Sequence, residues 1–466
     1  MKYRSTRGSP KSLSFSEAVL VGLAEDGGLF IPHYIPNLPI DWRTTWRNIP
    51  YTTLAHKIFS LYIPSSEIPS KDLENIINRS YSSFKTPNLY LLELFHGPTF
   101  AFKDVALQFL GKLFEYFLEK QNAKKSNAEE LNKITVLGAT SGDTGGAAIY
   151  GAEMTTVPDD NVHNLVVEGT FDDCQDIVKT LFNDTLFNQK FHLGAVNSIN
   201  WARILAQIVY YFHSYFQLLD SLNLTPDSHN ISGVKLQYIV PTGNFGDVLS
   251  GYYAKQMGLP IDSLVIATNS NDILDQFYKN GRYENSGVVE TLSPAMDITV
   301  SSNFERWLWY LAYEETEHDE EIDKRVNRAG KGLLIGDVLQ KIVRRDFNSA
   351  RVTDQETLDT INRYYSCKSK DQLSPYVLDP HTAVGVTAAE RQHVTSEIYQ
   401  ICLATAHPAK FSDAVEKALE NIPSFRFDAI TPPEFKGLLE KKKRISHVDR
   451  ADPELVREII ERELKS

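Results

Sequence analysis

The chain has 466 residues, a formal net charge of −12, 42% hydrophobic and 23% charged residues, and three cysteines. Such length and apolar content suit a globular protein of two or three domains, and the acidic balance offers no basic stripe for nucleic acid. No run approaches the ~18 apolar residues of a membrane span, and Cys174, Cys367 and Cys402 form neither a metal-like pair nor a disulfide framework. A reducing compartment fits that cysteine usage, and the cytoplasm is the expected location. Residues 1–14, basic and serine-rich, are a weak echo of a transit peptide with no apolar signal core behind them.

Residues 1–88 read as an N-terminal unit. A short helix opens at Ser16, and Gly22, Gly27 and Gly28 punctuate a loop into the segment LFIP. Prolines 32, 36 and 39 then argue against helix. Helices are predicted over 51–62 and 73–84, with a boundary at 85–88. A strand over 89–94 leads to a turn at Gly97 and Pro98. Lys103 follows Phe100, Ala101 and Phe102 where a helix begins. Val105, Ala106, Phe109, Leu110, Leu113, Phe114, Phe117 and Leu118 keep apolar groups on one face of that helix. Burial there favours the uncharged, nucleophilic amine, which can hold a carbonyl cofactor as a Schiff base. The alternative for Lys103 alone is a lysine snorkelling out of an apolar segment.

A short strand over 134–137 runs into GATSGDTGG (138–146) and a helix start. Strand, glycine-and-hydroxyl loop and helix make an anion site, because backbone N–H groups and the helix terminus converge there. The spacing matches neither GxxxxGK[ST] nor GxGxxG, so a carboxylate or phosphate fits better than a nucleotide; an ordinary tight turn is the alternative. A second such unit has a strand over 235–240, the turn PTGNFGD (241–247), a helix over 248–257 and a strand over 264–268. Gly243 and Gly246 allow close backbone approach, and Asp247 is placed to cap the helix. In 194–207, Asn197, Ser198, Asn200 and Arg203 are candidates for reading an anion, Arg203 equally for the helix surface. Residues 292–309 read as a loop into a core helix, 314–372 as a peripheral helical insertion, and 398–403 as a buried strand followed by ATAHPAKF. The single His381 reads as structural. The tail 436–466 reads as charged, helical, solvated surface. Alternating strands and helices indicate a doubly wound α/β fold with ligands at the carboxyl ends of the strands.

Together, YRSTRG, EDGGLFIP, HGPTFAFKD, GATSGDTGGAA, NSINWARILAQ, PTGNFGD, SPAMDI, LDPHTAVG and TAHPAKF stand in the order found in threonine synthase. The chain resembles the long form of that family, from fungi and some bacteria, over nearly its whole length. The resemblance implies a fold type II pyridoxal phosphate (PLP) enzyme, tryptophan synthase beta-like. It would have an N-terminal domain (1–88) and a catalytic region (89–466) of two lobes, the smaller spanning about 104–195. Lys103 would carry PLP and shuttle protons. Gly243, Asn244, Phe245 and Gly246, with Asp247 beside them, would hold the cofactor phosphate. Thr405 would meet the pyridine nitrogen, where a hydroxyl supports a largely neutral ring. Thr140, Ser141, Asp143 and Thr144 would receive the substrate carboxylate, and Asn200, Arg203 and Lys410 are candidates for the substrate phosphate.

The implied reaction converts O-phospho-L-homoserine and water to L-threonine and phosphate, the last step of threonine biosynthesis, with no metal and no obligate protein partner. Alternatives are a related phospho-lyase or dehydratase, a PLP-binding protein without turnover, and a kinase, which the missing Walker lysine disfavours. One departure stands out. In the family a strand and a further helix precede the MTT segment, whereas here Gly151, Ala152 and Glu153 lead straight into Met154. About two dozen residues, roughly one βα unit, are absent there. A shorter piece is missing between Phe84 and Leu89. Two explanations are open: a truncated or incorrectly assembled reading frame, or a lobe that repacks around the loss.

Overall fold

Strand β1 (Tyr3–Ser5) and strand β2 (Phe30–Pro32) pair antiparallel at the start of the chain, with helix α1 (Phe15–Val21) between them. The computed structural model describes all residues except 82–90, 126–130, 140–160, 170, 225–233, 317–332, 336, 367–374, 393–397, 438–439 and 465–466. The predicted boundary at 85–88 and the shortened stretch at 151–153 therefore lie outside the described residues. Helix α1 begins with a capping box: the Ser14 hydroxyl accepts from the Glu17 N–H, and the Glu17 carboxylate accepts from the Ser14 N–H at 2.8 Å. The second glycine of EDGG is sterically required, since a Cβ on Gly28 would stand 2.2 Å from Ser5 Oγ. Thr6 donates to Glu305 at 2.6 Å and Arg7 grips the same carboxylate at 3.0 and 2.7 Å. The YRSTRG segment thus ties the N-terminal unit to the rest of the chain.

Helices α2 (Tyr51–Tyr62) and α3 (Ser70–Tyr81) follow, and strand β3 (Leu91–Glu93) leads to helix α4 (Lys103–Asn122). The apolar face predicted for α4 is buried from Val105 to Phe117, with Phe109 against Phe59 of α2 at 4.4 Å between ring centroids. Strand β4 (Thr135–Leu137), strand β5 (Leu165–Val167), helix α5 (Phe171–Asn183) and strand β6 (Leu193–Ala195) belong to the smaller lobe, where β4 and β6 pair parallel. Helix α6 (Trp201–Ser221) is buried along nearly its whole length.

The larger lobe is built on strands β7 (Lys235–Pro241), β8 (Ile261–Thr268), β9 (Phe347–Arg351) and β10 (Ile398–Ala404). With β3 they form a wholly parallel sheet in the order β9-β8-β7-β10-β3. Both faces are covered. Leu236, Tyr238 and Val240 of β7 join the core under α6 and helix α7 (Gly246–Met257), whereas Ile239 points into a second core with helix α10 (Pro380–Glu390). Helix α8 (Phe304–Thr316) and helix α9 (Asp354–Ser366) complete the layers.

Two expectations change here. The segment 314–372 is not wholly peripheral helix: Phe347–Arg351 is an edge strand of the central sheet, with Phe347 and Ala350 buried. Its five residues directly follow the charged run Arg344-Arg345-Asp346, which masks the apolar pattern. The tail is not merely solvated surface either. Strand β11 (Ser446–Val448) pairs parallel with β5, and helix α11 (Pro453–Glu463) buries Val456 and Ile460 against Ile177, Val178 and Leu181. The end of the chain therefore closes the smaller lobe. Val456→Asp, which sets an unpaired carboxylate in that cluster, is expected to lower stability by ~2–4 kcal/mol. Denaturant unfolding followed by circular dichroism would show it.

Candidate active site

In the sheet order β9-β8-β7-β10-β3, numbering runs outward from β7 on one side and reverses on the other, so the crevice lies at the carboxyl ends of β7 and β10. The loops after β7, β10 and β3 meet there. The Leu94 N–H donates to Ala404 O at 2.9 Å, Phe102 N–H to Thr405 O at 2.8 Å, and His407 N–H to Phe100 O at 3.0 Å. This ladder extends the β3–β10 pairing past the sheet and sets Lys103, first residue of α4, beside Thr405. Phe100 has φ 54° and Phe245 φ 63°, left-handed values rare for aromatic residues, and both belong to loops that build the site.

Phe245 precedes α7 without a side-chain cap, so the first-turn N–H groups of α7, which have no intrahelical partner, stand open to an anion. The turn before it is braced from behind. Ser301 Oγ donates to Gly243 O at 2.6 Å, and Asn303 Nδ2 reaches Asn244 O and Ser198 O, both at 3.1 Å. Glycine at 243 serves that bracing as well as any ligand, because a Cβ would lie 2.8 Å from Ala295 O. Asp247 does not cap α7 as expected. Its side chain turns into α6, where Oδ1 accepts from the hydroxyls of Tyr210 and Tyr211. Burial pushes its carboxyl up to about 7, although both hydroxyls pull the other way.

A polar buttress stands behind Thr405. Asp379 caps α10 by accepting from the His381 N–H at 3.0 Å and the Thr382 N–H at 3.3 Å. The His381 ring bonds Asp379 through Nδ1 at 2.9 Å and accepts the Ala295 N–H on Nε2 at 3.2 Å. Thr382 Oγ1 accepts the Thr405 N–H at 3.2 Å. His381 thereby holds the 294–296 turn, in keeping with its structural reading. Burial pulls His407 down to about 4, so it is neutral at physiological pH.

These segments enclose a cavity of about 370 Å³. Lys103, the whole Gly243-Asn244-Phe245-Gly246-Asp247 run, Thr405, Arg203 and Lys410 line it. Lys410 is buried, with its ammonium on Thr99 O, and Arg203 donates to Val196 O at 3.0 Å. Asn200 does not belong to the wall. It is the N-cap of α6, its Oδ1 accepting from the Ala202 N–H at 3.0 Å and its Nδ2 donating to Val19 O at 2.9 Å, so its polar atoms are committed to the fold. Thr140, Ser141, Asp143 and Thr144 lie outside the described residues; Gly138 and Ala139, just before them, line the cavity. Sequence reasoning missed Gln207 and the 294–298 turn in the wall. The signal for Gln207 was present: one amide in an otherwise apolar, buried stretch of α6.

Models of the threonine synthase N terminus and of the threonine synthase C-terminal region match residues 2–81 and 382–460. Threonine synthase of Saccharomyces cerevisiae is 48% identical, across 99% of this chain and 98% of that protein. The chain belongs to the threonine synthase family. The crystal structure of yeast threonine synthase superposes with a TM-score of 0.87 at 47% identity, covering 100% of this chain and 99% of that one. PLP-bound threonine synthase from Brucella melitensis gives 0.82 at 37% identity, with 100% of both chains covered. The expected fold class is therefore the observed one. The alignment to the S. cerevisiae threonine synthase spans 517 positions against 466 residues here, so part of that relative falls opposite gaps.

Proposed function

We propose that the cavity binds PLP at Lys103 and that the chain converts O-phospho-L-homoserine and water to L-threonine and phosphate. The observation that carries this reading is the placement of Lys103 in one cavity with the uncapped N-terminus of α7. An amine for an aldehyde and an anion seat for its phosphate are the two features PLP requires, so the residues present fit the group. When bound, the cofactor supplies an electron sink for charge developing at the substrate carbons.

The chain's own groups do the rest. Gly243 to Gly246 offer backbone N–H groups to the phosphate. Thr405 presents a hydroxyl to the ring nitrogen, held in place because its N–H is fixed on Thr382 and its carbonyl on Phe102. Lys103 Nζ takes and returns the proton at the substrate α-carbon. Thr140, Ser141, Asp143 and Thr144 receive the substrate carboxylate. Arg203 and Lys410 put positive charge into the same wall, where the substrate phosphate is held until it departs. Asn200 drops out of that set. Phe102 and Leu107 form an apolar part of the lining that limits water. The substrate is a small molecule, and no nucleic acid, membrane or obligate protein partner is part of this reading. Cytoplasmic location is part of the proposal. Cys174 and Cys402 are free thiols, and no described helix is long and apolar enough to cross a membrane.

The test is to supply the purified chain with PLP and O-phospho-L-homoserine and assay phosphate and threonine together. Equal amounts of both are expected. Phosphate with 2-oxobutyrate in place of threonine would reassign the chain to elimination alone. Absence of both from protein that binds PLP would mean cofactor binding without turnover.

A further inference from the structure

Phe102, the N-cap of α4, makes no capping bond with its side chain, so Lys103 enters the helix without a local brace. The brace comes from the next residue. Asp104 is buried, at 1% exposure, and its carboxylate turns back to Thr99, Oδ2 accepting the N–H at 2.8 Å and Oδ1 the hydroxyl at 2.7 Å. From the other side the ammonium of Lys410, equally buried, donates to Thr99 O. The N–H, hydroxyl and carbonyl of Thr99 are thus all held by buried charges. Glycine at 97 leaves room for this contact, since a Cβ there would stand 2.5 Å from both Cβ and Oδ2 of Asp104.

The bonds from Asp104 to Thr99 close a ring of chain from 99 to 104, and that ring contains Phe100 and Lys103. Phe100 has the left-handed φ noted above, a conformation that persists in a bulky residue only where its surroundings over-determine it. Those surroundings are at hand. The Phe435 ring packs edge-on against Phe100 at 5.0 Å between centroids, and the Lys410 ammonium lies 6.0 Å from the same ring. The bonds of Phe102 and His407 fix the loop against the end of β10, whereas Asp104 fixes the first turn of α4 against the loop. The direction in which the Lys103 side chain leaves the helix depends on that second tie.

We propose that Asp104 is a positioning residue for Lys103: by closing the ring from Thr99 to Asp104 it holds Phe100 in its left-handed conformation and aims the Lys103 amine at the cofactor aldehyde. This rests on the PLP reading above. The attachment so aimed joins Lys103 Nζ to the aldehyde carbon and expels the carbonyl oxygen as water. Asp104 takes no part in that bond change. Its contribution is geometric, since a displacement of the amine by an ångström is enough to slow or weaken attachment severely.

The test titrates apo-protein with PLP and with 4′-deoxypyridoxine 5′-phosphate, which carries ring and phosphate without the aldehyde. The ratio of the two affinities isolates attachment at Lys103 from the binding of ring and phosphate, and a role confined to stability would not move it. Asp104→Ala is expected to lower that ratio about tenfold or more, with affinity for the deoxy probe within about threefold of wild type. With substrate, kcat should fall about 100-fold while KM stays within about threefold. Asp104→Asn should bring the ratio back to within about threefold of wild type, because its amide oxygen can accept the Thr99 N–H while its amide N–H donates to the Thr99 hydroxyl oxygen. Thr99→Val should lower the ratio in the wild-type background and no further in Asp104→Ala. A ratio unchanged in Asp104→Ala, an equal loss for both ligands, or Asp104→Asn no better than Asp104→Ala would each overturn the proposal. If Asp104→Ala does not fold, a wild-type ratio in Thr99→Val overturns it instead. Wild type that binds PLP no more tightly than the deoxy probe would remove the attachment at Lys103, and with it the PLP reading itself.

Discussion

Lys103→Ala is expected to lower turnover by about three to four orders of magnitude while leaving the protein folded and able to bind PLP. On the reading proposed above, the substitution removes the amine that attaches the cofactor and the group that moves the α-proton. It leaves untouched the α7 terminus and Thr405, which on the same reading hold the phosphate and ring. Lys103 is half-buried at the first position of α4, where alanine is a good helix residue, so the unfolding midpoint should stay close to that of wild type. The decisive readout is covalent. In wild type, borohydride followed by proteolysis and mass spectrometry should place a pyridoxyl group on residue 103, and in the variant on none. If a reducible adduct persists, attachment is elsewhere, and Lys410, the other lysine in the cavity wall, is the residue to examine.

Arg306→Ala is the largest expected loss of stability. Arg306 is fully buried and spends its donors on Phe30 O at 2.9 Å, on Ile199 O and on Asn303 Oδ1. These three acceptors belong to the N-terminal unit, to the segment before α6 and to the start of α8. All are neutral, and burial pulls the guanidinium down to about 10, still charged at neutral pH. Truncation leaves three buried acceptors unpaired and a void where a fully buried side chain stood. A loss of ~3–5 kcal/mol follows. Arg306→Lys should recover little of it, since an ammonium on a flexible stem cannot span the planar fork. Because Arg306 anchors Asn303, which strings Asn244 O to Ser198 O, PLP affinity should weaken as well. Urea unfolding and a PLP titration of the same variant would check both. Loss of stability without any change in PLP affinity would show that the Gly243-Asn244 turn stands without this brace.

Each glycine- or hydroxyl-rich turn after an apolar strand is a local feature, written in consecutive residues. That is why the strands read over 235–240, 264–268 and 398–403, the helix entry at Lys103 and the turns around Gly243 and Thr405 were legible. Their order along the chain, with YRSTRG and EDGGLFIP ahead of them, sufficed for the family, the fold class and the cofactor. The amphipathic face of α4 was equally readable, because side chains three and four residues apart settle it.

What the tertiary structure alone decided are the partners of groups far apart in sequence. Glu305 receives Thr6 and Arg7, and Asp247 is held by Tyr210 and Tyr211, pairings nearly 300 and nearly 40 residues apart. Nothing near Asn200 in the chain reveals that its amide is spent on Val19, so it read as an anion ligand instead of a cap. The tail read as solvated surface because most of its residues are charged. Val456 and Ile460 acquire a role only where Leu181 and its neighbours leave an apolar face uncovered. Spacing along a chain determines which side chains share a face. Which surface that face meets, and whether a carboxyl placed beside a phosphate seat is charged, depends on burial and on neighbours that only the folded chain brings together.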